Sequence, residues 1–185
     1  MDKINVVLDV INTIILGTGA VVAYRGLNIW REQLKGKGEY DLAKRYLRAA
    51  YKVRNALNDA RNPWIPRSET TAALKERGFE DAESDERNKN FAVYSLRWKK
   101  VQDALLELDG ESLEAEVAWG RDAVQARDEL DAAVRALRNN ISTLYDSSGN
   151  SPDDDVLYLT NRESDFDRTL RKAVEKIETF LKRYL

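Results

Sequence analysis

Apolar residues follow two different patterns along this chain. From Ile4 to Tyr24, "INVVLDVINTIILGTGAVVAY", they run almost unbroken, whereas from Glu39 onward they recur every three or four residues among charged neighbours. The first pattern belongs to a helix surrounded by apolar material on nearly every side, the second to amphipathic helices with one buried face. A helix over 39–61 carries Leu42, Tyr46, Ala49, Val53, Leu57 and Ala60 as its stripe. Pro63 and Pro66 in "RNPWIP" end it, because proline lacks an amide hydrogen and restricts the residue before it. Trp64 and Ile65 fall in the bent connector, and the charged stretch 67–88 reads as a short helix plus a loop. Phe91, Tyr94, Trp98, Val101, Leu105 and Leu108 hold a strict 3-4-3-4-3 spacing on a helix that Asp109-Gly110 should end. Leu113, Val117, Gly120, Val124, Arg127, Leu130, Val134, Leu137, Ile141 and Leu144 predict one long helix over 112–145. "DSSGNSPDDD" is a loop, and Phe166, Leu170, Ala173, Ile177, Leu181 and Tyr184 mark a last helix over 164–184. The expected fold class is all-α: one N-terminal transmembrane helix, then an antiparallel bundle of long, coiled-coil-like helices.

Ile4 to Tyr24 is 21 residues, which at about 1.5 Å each covers roughly 31 Å, the thickness of a bilayer's hydrocarbon core. A cleaved signal peptide is the rival reading, given the small residues at Val21-Val22-Ala23, and a buried core helix is the third. Against a signal peptide, Met1-Asp2-Lys3 brings no net positive side-chain charge, and the cations follow the run. On a helical wheel Asn5, Asp9 and Asn12 fall within about 60° of one another, and Gly19 and Ala23 continue the line. Polar groups within a membrane segment turn toward a bundle interior or a water path. Four or five copies, a tetramer in the simplest case, would make Asn5, Asp9, Asn12 and Gly19 the lining of a narrow pore. The same stripe also serves a packing face without conduction.

Charge sharpens this picture. Residues 25–67 hold eleven Lys/Arg against four acids, although the whole chain has a net charge of −2. A basic collar after an apolar run follows the positive-inside rule, which expects the N-terminus outside and the following domain in the cytoplasm, anchored in the inner membrane. The expected division is 1–30 for the membrane helix and its interfacial end at Trp30, 31–38 for a hinge at Gly36 and Gly38, and 39–185 for the cytoplasmic domain.

There is no cysteine and no histidine. That removes thiol nucleophiles, imidazole bases, disulfides and Cys/His metal sites. No phosphate-binding glycine loop, G-x-S-x-G or dinucleotide fingerprint appears, and the acidic loops lack the spacing of a calcium loop. The expectation is a protein that is not an enzyme and has neither cofactor nor metal. Two cationic stretches are candidate anion contacts: Arg45, Arg48 and Lys52 on the 39–61 helix, and Arg97, Lys99 and Lys100 in "YSLRWKK", read as projecting outward while Trp98 lies on the apolar seam. For the first stretch a lipid-facing or merely solvated role stays open.

The N-terminal span, the join "WREQLKGKGEYDLAKRYLRAAYKVRNALNDARNPWIP" and the helical domain that follows resemble the small single-span membrane effectors of bacterial anti-phage defence, most of all the channel effectors of the Hailong system. The resemblance covers residues 1–66 best and is architectural beyond them. It implies a homo-oligomeric ion channel, closed by DNA oligomers or nucleotides that a partner nucleotidyltransferase makes, whose opening depolarises the infected cell. Beside it stands a reading of another class, a single-pass helical scaffold that recruits a partner protein.

Overall fold

The computed structural model describes residues 2–78, 85–143, 153–159 and 163–185, with the side chains of 2–16, 20 and 87 outside the description. Seven helices occur among the described residues: α1 (Asp2–Ala60), α2 (Arg67–Glu76), α3 (Glu86–Trp119), α4 (Arg121–Gln125), α5 (Asp128–Thr143), α6 (Asp154–Leu157) and α7 (Asp165–Leu181). No strand occurs among these residues, so the all-α class holds. Compact packing divides the chain into two units, residues 1–41 and 42–185.

In the first unit the backbone is helical throughout, including Gly36 and Gly38. The expected hinge at 31–38 is therefore not a break in the helix. A glycine inside a helix costs only about 1 kcal/mol relative to alanine, which its helix-forming neighbours absorb. Among the described residues no helix is long and apolar enough to cross a membrane. The run from Ile4 to Tyr24 falls mostly on residues whose side chains lie outside that description.

The second unit is an up-and-down bundle. Residues 42–60 of α1 bury Ala43, Tyr46, Ala50, Val53, Leu57 and Ala60, again at alternating three and four. Facing them are Val101, Ala104, Leu108 and Ala115 of α3 and Leu170, Ala173, Ile177 and Leu181 of α7, with Leu130, Ala133 and Leu137 of α5 closing the core. Arg45 pairs with Glu111, Lys52 with Glu107, and Arg97 reaches the Asn62 carbonyl, so α1 and α3 run antiparallel. Tyr51 Oη donates to Glu178 Oε1 at 2.7 Å and Arg61 pairs with Asp167, which sets α7 antiparallel to α1 as well. A second cluster, Ala73, Leu74, Ala92 and Val93, seats α2 on α3, and Ile65 packs against it. As expected, α1 stops before the two prolines.

The break expected at Asp109-Gly110 lies elsewhere. The α3 helix passes through Gly110 and ends at Gly120, whose φ of 79° and ψ of −169° only glycine adopts without strain. The single helix expected over 112–145 is accordingly divided, among the described residues, between the end of α3, α4 and α5, and the α3 seam keeps its phase. Leu108, Ser112 and Ala115 are buried in succession, while Leu113 and Val117, expected on the seam, are exposed. A helix that does not restart at residue 112 cannot rotate its buried face. Phe91, at the other end of the expected seam, is also exposed, its ring covered by the Arg77 guanidinium at 4.4 Å. The last helix is a close match, with Ser164 as N-cap and Asp167 completing a capping box.

Candidate functional site

The six expected anion contacts separate into two places, and one of them is structural. Arg97 is only 4% exposed. Its Nε and Nη2 donate to the two oxygens of Glu69 at 2.9 and 2.7 Å, Nη2 also donates to the Trp64 carbonyl at 3.0 Å, and Nη1 donates to the Asn62 carbonyl. This guanidinium ties the proline connector to α2 and α3. The Glu69 carboxyl is held below its ordinary range chiefly by the Arg97 hydrogen bond, and the same bond raises Arg97. Arg97 therefore does not project outward as its helical position next to Trp98 implied, because α2 and the connector fold across it.

Three of the others are ion-paired at the surface. Arg45 donates to Glu111 at 2.9 Å and pairs with Glu114, while Lys52 meets Glu107 at 2.7 Å. Lys99 pairs with Glu76 across the α2–α3 corner. Exposed pairs of this kind contribute about 0–1 kcal/mol, so a polyanion can exchange for the carboxylates. Arg48 and Lys100 are exposed, and Lys100 acts electrostatically on Glu69. The structure thus gathers Arg45, Arg48 and Lys52 on one stretch of α1 and leaves Lys99 and Lys100 on α3. Of the expected pore residues, Gly19 is helical, exposed and has open space where a Cβ would stand. The side chains of Asn5, Asp9 and Asn12 lie outside the described residues.

A cation absent from those expectations turns out to be the most buried among the described residues. Arg61 is 0% exposed. Its Nε donates to the Val156 carbonyl and its Nη2 to the Asp155 carbonyl, both at 2.8 Å, Nη1 pairs with Asp167, and the guanidinium lies 4.4 Å from the Phe166 ring centre. Its own carbonyl accepts from the Leu159 amide at 2.8 Å. Burial pushes the Asp167 carboxyl up, but hydrogen bonds from Arg61 and Ser164 outweigh this and leave it below its usual range. In sequence Arg61 is one more member of the basic collar, and only its place in the last turn before "NPWIP" hints at a role in closing the helix.

Two clefts open between the long helices of the bundle. One, of about 560 Å³, lies between α1 and α7, where Arg54 and Arg171 are balanced by Glu163, Glu175 and Glu178. Arg171 is already 2.6 Å from Glu163, so this cleft offers no unopposed charge. The other, of about 500 Å³, lies between α3 and α5 and is lined by Phe91, Tyr94, Trp98 and Ile141 with Arg138. Burial is the main cause that raises the Tyr94 hydroxyl to about 12, so it stays protonated and acts as a hydrogen-bonding group. Among the described residues no cluster of three or more acidic ligands is placed to hold a metal ion.

Comparison of the chain with protein-family models, with curated proteins and with solved structures finds no match.

Proposed function

We propose that this protein is a membrane-anchored, homo-oligomeric ion channel effector of anti-phage defence. In this reading the N-terminal helix conducts along Asn5, Asp9 and Asn12, and the helical bundle gates it by binding an anionic ligand, a nucleotide or DNA oligomer made by a partner nucleotidyltransferase. The observation that carries the membrane part is the exposure of the apolar side chains between residues 21 and 34: Val21, Val22, Tyr24, Leu27, Ile29, Trp30 and Leu34 are all exposed. Apolar surface of that extent is covered by lipid or by other chains. The cations Arg25, Arg31, Lys35 and Lys37 follow the apolar run, which by the positive-inside rule supports a bundle on the cytoplasmic side of the inner membrane. Arg45, Arg48, Lys52, Lys99 and Lys100 are the exposed contacts for the ligand, with Arg97 tying the connector and α2 to α3 beside Lys99 and Lys100.

The test is ion flux from liposomes carrying the purified full chain, with Asp9→Leu/Asn12→Leu as the comparison. Loss of flux with retained insertion is the expected result, and flux equal to that of the parent removes the stripe as a pore. A ligand held by these cations binds more weakly as salt rises, because phosphate contacts release counterions.

The scaffold reading also has an observation in its favour, the apolar side chains that α3 turns to solvent.

A further inference from the structure

We propose that the outward face of α3 is a docking surface for a basic amphipathic helix of a partner protein. Leu106, Leu113 and Val117 are 69%, 65% and 90% exposed. Separated by seven and four residues on one continuous helix, they share a face within about 40° and extend over roughly 16 Å. Burial elsewhere in the chain does not account for three large aliphatic side chains in a row, and such a stripe is the form in which a helix receives another helix.

Gly110 lies on the same line, between Leu106 and Leu113. No atom lies within 4 Å of where its Cβ would be, so packing within the chain does not require a glycine there. A glycine inside a helix is destabilising, and here it leaves a dip between two leucine shoulders that fits one apolar side chain from outside.

Charge selects the occupant. Between Val101 and Gly120 the chain has six acids, Asp103, Glu107, Asp109, Glu111, Glu114 and Glu116, and no lysine or arginine. Asp103 and Glu114 border the stripe on one side, Asp109 and Glu116 on the other. Arg45, Lys52 and Arg127 pair with Glu107, Asp109, Glu111 and Glu114, two of which lie on the rim, while Asp103, on which Lys99 acts electrostatically, and Glu116 are outside these pairs, so six acids meet three pairing cations and the rim keeps an excess of negative charge. An anionic membrane surface is repelled by such a rim. A second copy docking through the same face would set acid against acid. A helix with apolar residues at i, i+4 and i+7 bordered by lysines or arginines satisfies both the stripe and the rim.

This inference rests on the scaffold reading and is independent of conduction. The probe is a fluorescein-labelled helical peptide of leucines at i, i+4 and i+7 with lysines between, titrated by anisotropy into the full chain in neutral detergent. A control peptide carries glutamates in place of the lysines. Binding of the lysine peptide should weaken at least tenfold in Leu106→Ser/Leu113→Ser/Val117→Ser and severalfold in Asp103→Lys/Glu116→Lys, with unchanged melting temperature. Gly110→Leu should raise the melting temperature and still weaken binding, which a purely structural glycine would not do. Equal binding by all variants, or equal binding of the glutamate peptide, overturns the proposal. A change of oligomer size on mutating the stripe also overturns it, by assigning the face to a second copy. Liposome flux by the same serine variant separates the two ideas: flux retained with docking lost leaves the channel reading in place, and flux lost in Asp9→Leu/Asn12→Leu with docking retained leaves this one untouched.

Discussion

Residues 17–41 and residues 42–60 belong to the same helix, yet they have solved different problems. In the latter, apolar residues alternate by three and four with charged ones, and Tyr46, Val53 and Leu57 are fully buried. In the former, Val22, Leu27, Ile29 and Trp30 point in several directions and all are exposed. Helical geometry is thus indifferent to the surroundings, and it is the period of the apolar positions that decides what must cover them. A stripe is covered by sibling helices of one chain. Apolar side chains spread around a helix find no such seam among the siblings.

Two arginines, one just past the end of α1 and one within it, give the widest contrast. Arg61→Ala leaves Asp167 and the Asp155 and Val156 carbonyls without their partner, and breaking a buried ion pair in this way costs about 3–5 kcal/mol. For a chain of this size that lowers the melting temperature by roughly 6–20 °C. Arg31→Ala, on the exposed part, should stay within about 0.5 kcal/mol of the parent. Thermal melts by circular dichroism in neutral detergent measure both, and equal shifts would erase the distinction between the two parts.

Apolar truncations come next. Leu57→Ala should cost about 2–5 kcal/mol, since it removes methyl groups from a closed core. Leu27→Ala should leave the bundle's melting within about 0.5 kcal/mol of the parent. Under the channel reading proposed above its effect is in membrane retention, read by flotation with liposomes. A Leu27→Ala variant that melts early would mean that this side chain has a core in its own chain.

Glycines should respond with opposite sign. Gly120→Ala forces a Cβ into a positive-φ conformation and should cost about 1–3 kcal/mol. Gly36→Ala, in a continuous helix with open space around it, should increase helix stability by up to about 1 kcal/mol. Differential scanning calorimetry of the two variants checks the signs.

The smallest effect is with pH. Glu69 and Asp167 have carboxyls held below their ordinary range in the fold, so the stability they contribute is complete above the unfolded values, about 4, and is lost as pH falls through the folded ones. Melting temperatures should decline from pH 5 downward, less steeply in Glu69→Gln. An identical slope in that variant would mean the Arg97 pair contributes nothing to acid sensitivity.

Much of the second unit is legible in the sequence because its signals are local. The stripe of α1, the proline stop and the face of α7 follow from spacing and from residues that cannot continue a helix. The two glycines of the α3–α4 region show where local signals fail. Asp-Gly reads as a breaker, yet Gly110 sits among strong helix formers and stays helical, while Gly120, which fits the apolar frame, is the true corner. That choice is made by tertiary packing: Trp119 stacks on Tyr184 at 4.1 Å, and Ala123, just past the corner, offers its carbonyl to the Tyr46 hydroxyl at 2.8 Å. Arg61 and Arg97 are illegible for the same reason. A lone arginine carries no local mark of burial, since its partners come from elsewhere in the chain.

The Arg61 knot also bears on how the protein is made. Its cation and its Asp167 partner are 106 residues apart, and at synthesis rates of about 5–20 residues per second that separation is roughly 5–20 s of translation. Throughout that interval α1 has left the ribosome with the end of its buried face unclosed and an arginine awaiting its carboxylate. The N-terminal part of the helix meets its surroundings first, and the bundle locks only when α7 arrives. Nascent chains stalled before residue 167 should therefore be readily cut by protease between α1 and α3, and those released after it should resist.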